Sequence, residues 1–454
     1  MKKWFFSAVF VGGISLIPRA AFAQQLDLIA PDPSTHKSHK VADKPALKPD
    51  ISIATAPLGF GPPAPFYISM RIAQLSLDFL DEDTLLFTFH VPGLVVRERP
   101  IPSPSPSSSS DTHSQSDTQD AQQDQPLWNE RHIRAVVLSL PDGRVTAEAL
   151  WTVHDRARYL WMLKDRHFLL RDKNTVHRGD AALRLDPFLR FPGPVNDIEL
   201  DPAQHLLVAN TSEAPAPEAS TEARPDKGIF PATASANVTL EEHHDTATSQ
   251  SLLRILSMDS RSVMLFSRVS GTIHLPLDGE GYYEALRGNG RYWTIVRQNL
   301  GGSTVPLTEV ESICSPTLDA VAPDVVLISA CLDGGVRRLS VVSKDKALPW
   351  DQTLPPTWVW PTLANAPGAR RIARATLDVT HPIGPSNPLD YDDIRGQIVQ
   401  VYDLATGNLK LTVPANPALD GGGNFALSPS GNRLAVLNAG AIQIYNLTPA
   451  PAMP

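Results

Sequence analysis

The chain has 454 residues, with 42 Pro, 27 Gly, only 2 Cys and a formal net charge of −8. At 42% hydrophobic and 19% charged residues it is too apolar for a wholly disordered chain, too poor in glycine for a collagen-like repeat and too poor in cysteine for a disulfide framework. The acidic balance argues against nucleic acid and against anionic membrane surfaces as partners, because both require a basic face.

The N-terminus combines basic Lys2 and Lys3, an apolar stretch from Trp4 to Ile17, and the small-x-small pattern Ala21-Phe22-Ala23. That pattern predicts a secretory signal peptide over residues 1–23 with cleavage after Ala23, since the apolar stretch is too short to be retained as a span. No Cys follows the site, so a lipoprotein anchor is not indicated. No later apolar run approaches the ~18 residues that a transmembrane helix needs, so no anchor is expected after cleavage. The style of the signal is bacterial, which implies a periplasmic or secreted protein. Cleavage removes Lys2, Lys3 and Arg19 and leaves a mature net charge of −11.

Residues 24–65 are rich in Pro, Lys, Asp and Ala and read as a disordered linker. Residues 100–127 and 212–250 are low-complexity polar insertions that cannot bury enough apolar surface to offset chain entropy. A shorter interruption covers residues 380–396. Between these pieces the chain reads as short β-branched or aromatic runs punctuated by turn residues, among them LSLDFL, IRAVVLSL, VVLISA and AIQIYNL. One unit recurs: an apolar strand, a tight polar turn, a second apolar strand. Seven copies have turns centred near residues 82, 165, 203, 289, 322, 366 and 430. With the insertions removed their spacing averages about 44 residues, the size of a four-stranded propeller blade. The predicted fold is therefore an all-β propeller of seven four-stranded blades over residues 66–448, with a tail at 449–454.

The pair GNFALSPSGNRLAVLN (423–438) and GQIVQVYDLATGNLKLTV (396–413) resembles the bacterial WD40-like and YVTN-type β-propeller repeats, and the resemblance covers residues 396–447. It implies the same fold and names no reaction. The last copy shows only three strands before the chain ends, so a strand from the start of the domain must complete it. Phe66–Ile72 is the predicted closing segment. Cys314 and Cys331 lie symmetrically about the turn at Val321–Asp324, which predicts that they face each other across one hairpin and form a disulfide in an oxidising compartment.

The chain contains no G-x-S-x-G, H-E-x-x-H or G-x-x-x-x-G-K-[ST] motif. Ser343-x-x-Lys346 matches a penicillin-binding-protein motif, but so does Ser34-x-x-Lys37 in a linker, and neither opens a helix. His154-Asp155, His243-His244-Asp245 and Asp390–Asp393 could each touch a metal, yet each reads more simply as a turn or a solvated tract. Trp350, Trp358 and Trp360 read as blade packing rather than a sugar-stacking platform. No catalytic residue, metal ligand or cofactor is assigned. The sequence thus favours a non-enzymatic exported scaffold that binds a protein or cell-envelope component on a loop face. The alternative is a hydrolase or lyase with a channel-centred site acting on a glycan or similar ligand, whose mark would be carboxylates or histidines converging on the axis.

Overall fold

The computed structural model describes residues 47–61, 75–91, 131–153, 158–212, 250–343, 347–383, 389–419 and 421–448. The signal segment, its cleavage site at Ala23 and residues 66–72 lie outside the described residues, as do the centres of both long insertions. Among the described residues no helix is long and apolar enough to cross a membrane.

From Lys48 onward the chain is a propeller of seven four-stranded antiparallel blades. Six blades are built from consecutive strands, running from the axis outward in sequence order. Their innermost strands are Leu75–Asp81, Leu160–Met162, Val195–Leu200, Leu277–Asp278, Thr317–Ala322 and Trp358–Ala366, and the seventh blade begins with Phe425–Leu427. Alternation puts one set of side chains toward the preceding blade and the other toward the following blade. Each seam consequently holds its own apolar cluster: Trp151 with Phe168 between the first two blades, for example, and Tyr283 with Val326 between the fourth and fifth. Fully burying one such side chain contributes about 1.5–3 kcal/mol, and a single blade leaves both of its faces wet.

The seventh blade is closed by Ile51–Ala54, which pairs antiparallel with Ala441–Asn446 in the register Ile51↔Ile444 to Ala54↔Ala441. This corrects the expected closing segment 66–72, and it places an ordered strand inside the stretch read as linker. A four-residue strand flanked by Pro and Asp is too short to show a hydrophobic period. Its placement comes from the ring: Ile53 is buried between the seventh and first blades beside Phe79 and Leu437. Its ends are pinned as well. The Asp50 N–H donates to the Ile444 carbonyl at 2.9 Å, the Asn446 N–H donates to the Asp50 carboxylate at 2.6 Å, and the Thr55 hydroxyl donates to the Gly440 carbonyl at 2.8 Å.

The same seam is closed on the axial side by Gly423. Its φ is +86°, and a Cβ there would stand 2.3 Å from the Leu75 carbonyl oxygen, so glycine is required. The Gly423 carbonyl accepts the Leu77 N–H at 2.8 Å. Between the sixth and seventh blades the fully buried Arg371 donates to the Gly431 carbonyl at 2.7 Å.

Two details of the repeat differ from the sequence pattern. In the fourth blade the turn near 289 joins the second and third strands, Gly281–Arg287 and Tyr292–Asn299. Its first hairpin turns at Gly279-Glu280, after a first strand of only two residues that carries no readable period. The Cys314–Cys331 disulfide is present, with Cα atoms 5.6 Å apart. It is not a ladder pair: the hairpin register is Thr317↔Ser329 to Ala320↔Val326, one residue off the symmetric count, with a bulge at its turn end. Cys314 lies in the connection before the first strand of that blade, and the Ile313 N–H donates to the Cys331 carbonyl at 3.0 Å. The disulfide therefore ties an inter-blade connection to the end of the second strand.

The long insertions leave the fold at equivalent places. One joins Thr84–Val91 to Arg131–Ser139 in the first blade, and the other joins Leu206–Ser212 to Gln250–Ser257 in the third, each between a second and a third strand whose pairing continues beside the break. The interruption at 380–396 occupies the same hairpin of the sixth blade.

Two stability effects follow. Ile53→Ala should lower the unfolding free energy by about 2–4 kcal/mol, the usual cost of truncating a buried isoleucine, read from the urea midpoint. Reducing the disulfide, whose partners are 17 residues apart, should cost roughly 3 kcal/mol, and intact protein unfolded without reductant should show no titratable thiol.

Candidate functional site

The first strands surround an axial channel of about 920 Å³. Its wall has two halves. On one side the sixth and seventh blades offer small or neutral residues, including Thr362, Ala364, Gly422 and Ala426. On the other, Asp78, Arg158, Tyr159, Glu199, His274 and Asp319 face the channel.

The carboxylates come from one register position of the repeat. In the first hairpin of each blade Asp78 pairs with Leu86, Glu199 with Val208 and Asp319 with Leu327, and the equivalent positions in the last two blades are Ala364↔Ala373 and Ala426↔Ala435. The neighbouring residues Leu77, Ile198 and Leu318 are buried in the seams. Period-2 alternation then leaves each acidic residue on the opposite side of its strand. The third blade also carries Asp197, two residues before Glu199 and outside the residues that line the channel, next to a bulge between Val195 and Asp197, a device that re-aims side chains.

His274 fastens three blades around the axis. Its Nδ1 lies 2.6 Å from Glu199 Oε1, its Nε2 lies 2.7 Å from the Leu318 carbonyl oxygen, and Asp319 Oδ1 is 3.6 Å from Nε2. Glu199 Oε1 also accepts the Leu275 N–H at 3.1 Å. With an acceptor at each ring nitrogen, both nitrogens must carry protons, and the imidazole is a cation. Burial works against that charge, but the hydrogen bond to Glu199 and the charges of Glu199 and Asp319 win, raising its pKa to about 10.

The other cation, Arg158, lies 5.3 Å from the centre of the Trp161 ring and donates from Nε to the Leu160 carbonyl at 3.1 Å. Its own carbonyl accepts from Nε of the buried Arg171 at 3.0 Å, and the Arg171 N–H donates to the Tyr159 carbonyl at 2.9 Å. The Tyr159 hydroxyl sits 2.7 Å from Thr88 Oγ1 in a buried site, and burial raises its pKa.

Arg158 and His274 do not offset the burial of the carboxyl groups beside them, and three of these hold their protons above the ordinary carboxylate range. Burial raises the pKa of Asp78 against the opposing hydrogen bond from Ser76 and the charge of Arg158. Burial, reinforced by the charge of Glu199, raises Asp197 to about 6. Burial also raises Asp319 against the pull of His274. The channel thus combines carboxyl groups poised to give or take a proton with fixed positive charges beside them, an arrangement able to perform general acid–base chemistry.

The residues singled out from sequence lie elsewhere. His154-Asp155, His243–Asp245 and Lys346 fall outside the described residues. Tyr391–Asp393 forms a 3-10 turn in which the Asp393 carbonyl accepts the Thr380 N–H at 2.8 Å, away from the channel lining. Trp350 is buried and meets the Tyr402 ring edge-on at 5.6 Å, while Gly407, at φ +69°, packs so closely that a Cβ would overlap the indole. It is a packing residue and is not exposed for stacking. Trp358 packs against the same cluster. The channel acids carried one usable signal: Asp or Glu at the same place in LSLDFL, VNDIEL and PTLDAV, inside otherwise apolar strands.

No family model and no curated relative matches the sequence. Among solved structures the chain is similar to the Pyrococcus horikoshii acylaminoacyl peptidase (11% identity, 80% of this chain and 48% of that one, TM-score 0.44). It is also similar to the β-propeller domain of the Trilobed protease from Pyrococcus furiosus (9% identity, 84% of this chain and 100% of that one, TM-score 0.42) and to Kluyveromyces lactis Hsv2 (10% identity, 62% and 71%, TM-score 0.34). The chain spans about half the length of the first of these. At these identities the likeness is one of fold. The expectation of a non-enzymatic scaffold does not hold. It rested on a propeller without a catalytic motif, and here acidic groups and a histidine converge on the axis.

The shifts set the pH dependence. Between the unfolded pKa of 3.8 and the folded value of about 6, native Asp197 keeps a proton that the unfolded chain has lost, so its contribution to stability falls as pH rises through that window. His274 acts with the same sign between 6.5 and about 10. Asp197→Asn should flatten the decline of the thermal midpoint between pH 4 and 6. In NMR titrations the His274 ring signal should not move between pH 5 and 8, and Glu199→Gln should bring its titration back toward neutrality.

Proposed function

We propose that the axial channel is the active site of an exported hydrolase or lyase acting on a glycan or similar ligand. The observation that supports this reading is the placement of Asp78, Glu199 and Asp319 at one level of the channel, with Arg158 and His274 beside them and Asp197 two residues before Glu199 on the same strand, and with a wall of small residues opposite that leaves room for a ligand. Asp197, protonated up to about pH 6, is the candidate proton donor. Asp78 and Asp319 are candidate acceptors, able to activate water or remove a proton when ionised. Arg158 and His274 supply fixed positive charge to an oxygen that becomes negative during bond cleavage. Glu199, committed to His274 by a 2.6 Å contact, positions that cation.

Export rests on the signal pattern ending at Ala23 and agrees with the Cys314–Cys331 disulfide, which belongs in an oxidising compartment. The periplasm or the extracellular space is the proposed location, and a cell-envelope polymer the proposed source of substrate. The acidic net charge of −8 speaks for a ligand other than nucleic acid. The resemblance of residues 396–447 to WD40-like and YVTN-type repeats supports descent from the same class of blade.

Purified mature protein, disulfide intact, should release reducing ends or unsaturated products from at least one member of a panel of neutral, amino-sugar and uronate polysaccharides. The kcat profile should have one limb near pH 6. Asp197→Asn should cut kcat by at least 100-fold with a thermal midpoint no lower than that of the parent protein. Absence of product from every polysaccharide, or full activity in Asp197→Asn, would remove this assignment.

A further inference from the structure

The outer edge of the third blade presents an exposed apolar strand beside two cations that no carboxylate among the described residues answers. Val263–Ser270 is the last strand of its sheet, so one row of its backbone N–H and C=O groups has no ladder partner. Val263, Met264 and Phe266 are 50%, 53% and 54% exposed, and no other outer strand among the described residues shows three large exposed hydrophobics. Arg254, on the adjoining strand, is the register partner of Phe266, and its guanidinium stands 5.3 Å from the Phe266 ring and 5.9 Å from that of Phe191. Arg261, in the turn between the two strands, lies 4.7 Å over the Phe188 ring. Phe188 and Phe191 come from the end of the second blade, so the patch spans the outer seam between two blades.

Neither guanidinium has a carboxylate partner among the described residues. Arg254 donates only to Thr211 Oγ1, and burial pulls its pKa below the ordinary range with no anion opposing the shift. An edge that offers backbone hydrogen bonds, apolar side chains, a half-buried arginine and an exposed one complements one kind of ligand. We propose that Val263–Ser270 pairs with an extended peptide segment of a partner protein in which apolar and acidic side chains alternate. The added strand takes its main-chain bonds from the free edge. Side chains alternate across the added strand, so its carboxylates lie on the face of Phe266 and its register partner Arg254, toward Arg254 and Arg261, and its apolar residues lie on the opposite face beside Leu265. This surface is remote from the channel and stands independently of the enzymatic reading.

The test is fluorescence anisotropy on the full mature chain with two labelled ten-residue peptides, one alternating Val and Glu, the other Val and Lys. The Val-Glu peptide should bind at least ten-fold more tightly and weaken as salt is raised. Phe266→Glu and Arg261→Glu should each reduce its affinity at least ten-fold with an unchanged thermal midpoint, and Arg254→Ala provides a third variant should either of these fail to fold. Equal binding of the two peptides, or binding indifferent to these variants, would overturn the proposal. So would a Phe266-dependent dimer that binds no peptide, since a second copy would then own the edge. Binding that appears only after removal of residues 213–249 would overturn it too, by making the chain's own insertion the occupant.

Discussion

The antiparallel pairing of Ile51–Ala54 with Ala441–Asn446 is the contact on which the rest of the molecule depends. Each blade has two apolar faces and covers neither by itself. Six seams form between blades that follow one another in the chain, but the seventh joins the last blade to the first, and only a strand from the opposite end of the sequence can complete the outer edge there. Ile53 enters that seam from outside while Gly423 meets Leu75 and Leu77 from within. The long-range closure sets the ring, the ring sets the channel radius, and the channel radius decides which side chains can interact across the axis.

The channel shows what closure does electrostatically. Asp78, Asp197, Glu199 and Asp319 come from three blades, and in an open chain each would titrate as an ordinary carboxylic acid. Brought around one axis and partly removed from water, three of them have their pKa raised, because desolvation penalises their ionised forms and, for Asp197 and Asp319, the charge of Glu199 adds to that cost. His274 responds oppositely: between Glu199 and the Leu318 carbonyl it is held as a cation. The same residue cross-links three blades and carries charge, so the stability and the chemistry of the axis are not separable at this point. The small-residue wall of the sixth and seventh blades completes the site by leaving space rather than by contributing groups.

Much of the fold was legible in the sequence. The hairpins at LSLDFLDEDTLLFTF and GNFALSPSGNRLAVLN could be read because their strands are long, apolar and separated by polar turns, and the spacing of the copies fixed the blade count. The fourth blade was read one strand out of phase because Leu277–Asp278 is too short to show a period. The Cys314–Cys331 pairing was correct although the assumed register was not: a bulge near Ala320–Ala322 shifts the ladder, and the inter-blade connection that carries Cys314 makes up the difference. The closing strand was missed because four residues in a Pro-rich context look like linker until a partner edge waits for them.

The sequence by itself determined the class of fold, the sites where insertions interrupt the blades and the cysteine pair, and pointed to seven blades, since all of these follow from local periodicity and spacing; the closed ring settled the count. Only the tertiary structure decided the function-bearing features. Asp78, Glu199, His274 and Asp319 are separated by up to 241 positions in the chain, and no local pattern reports their proximity. Their protonation depends on desolvation and mutual charge, and both arise only when the ring has closed around them.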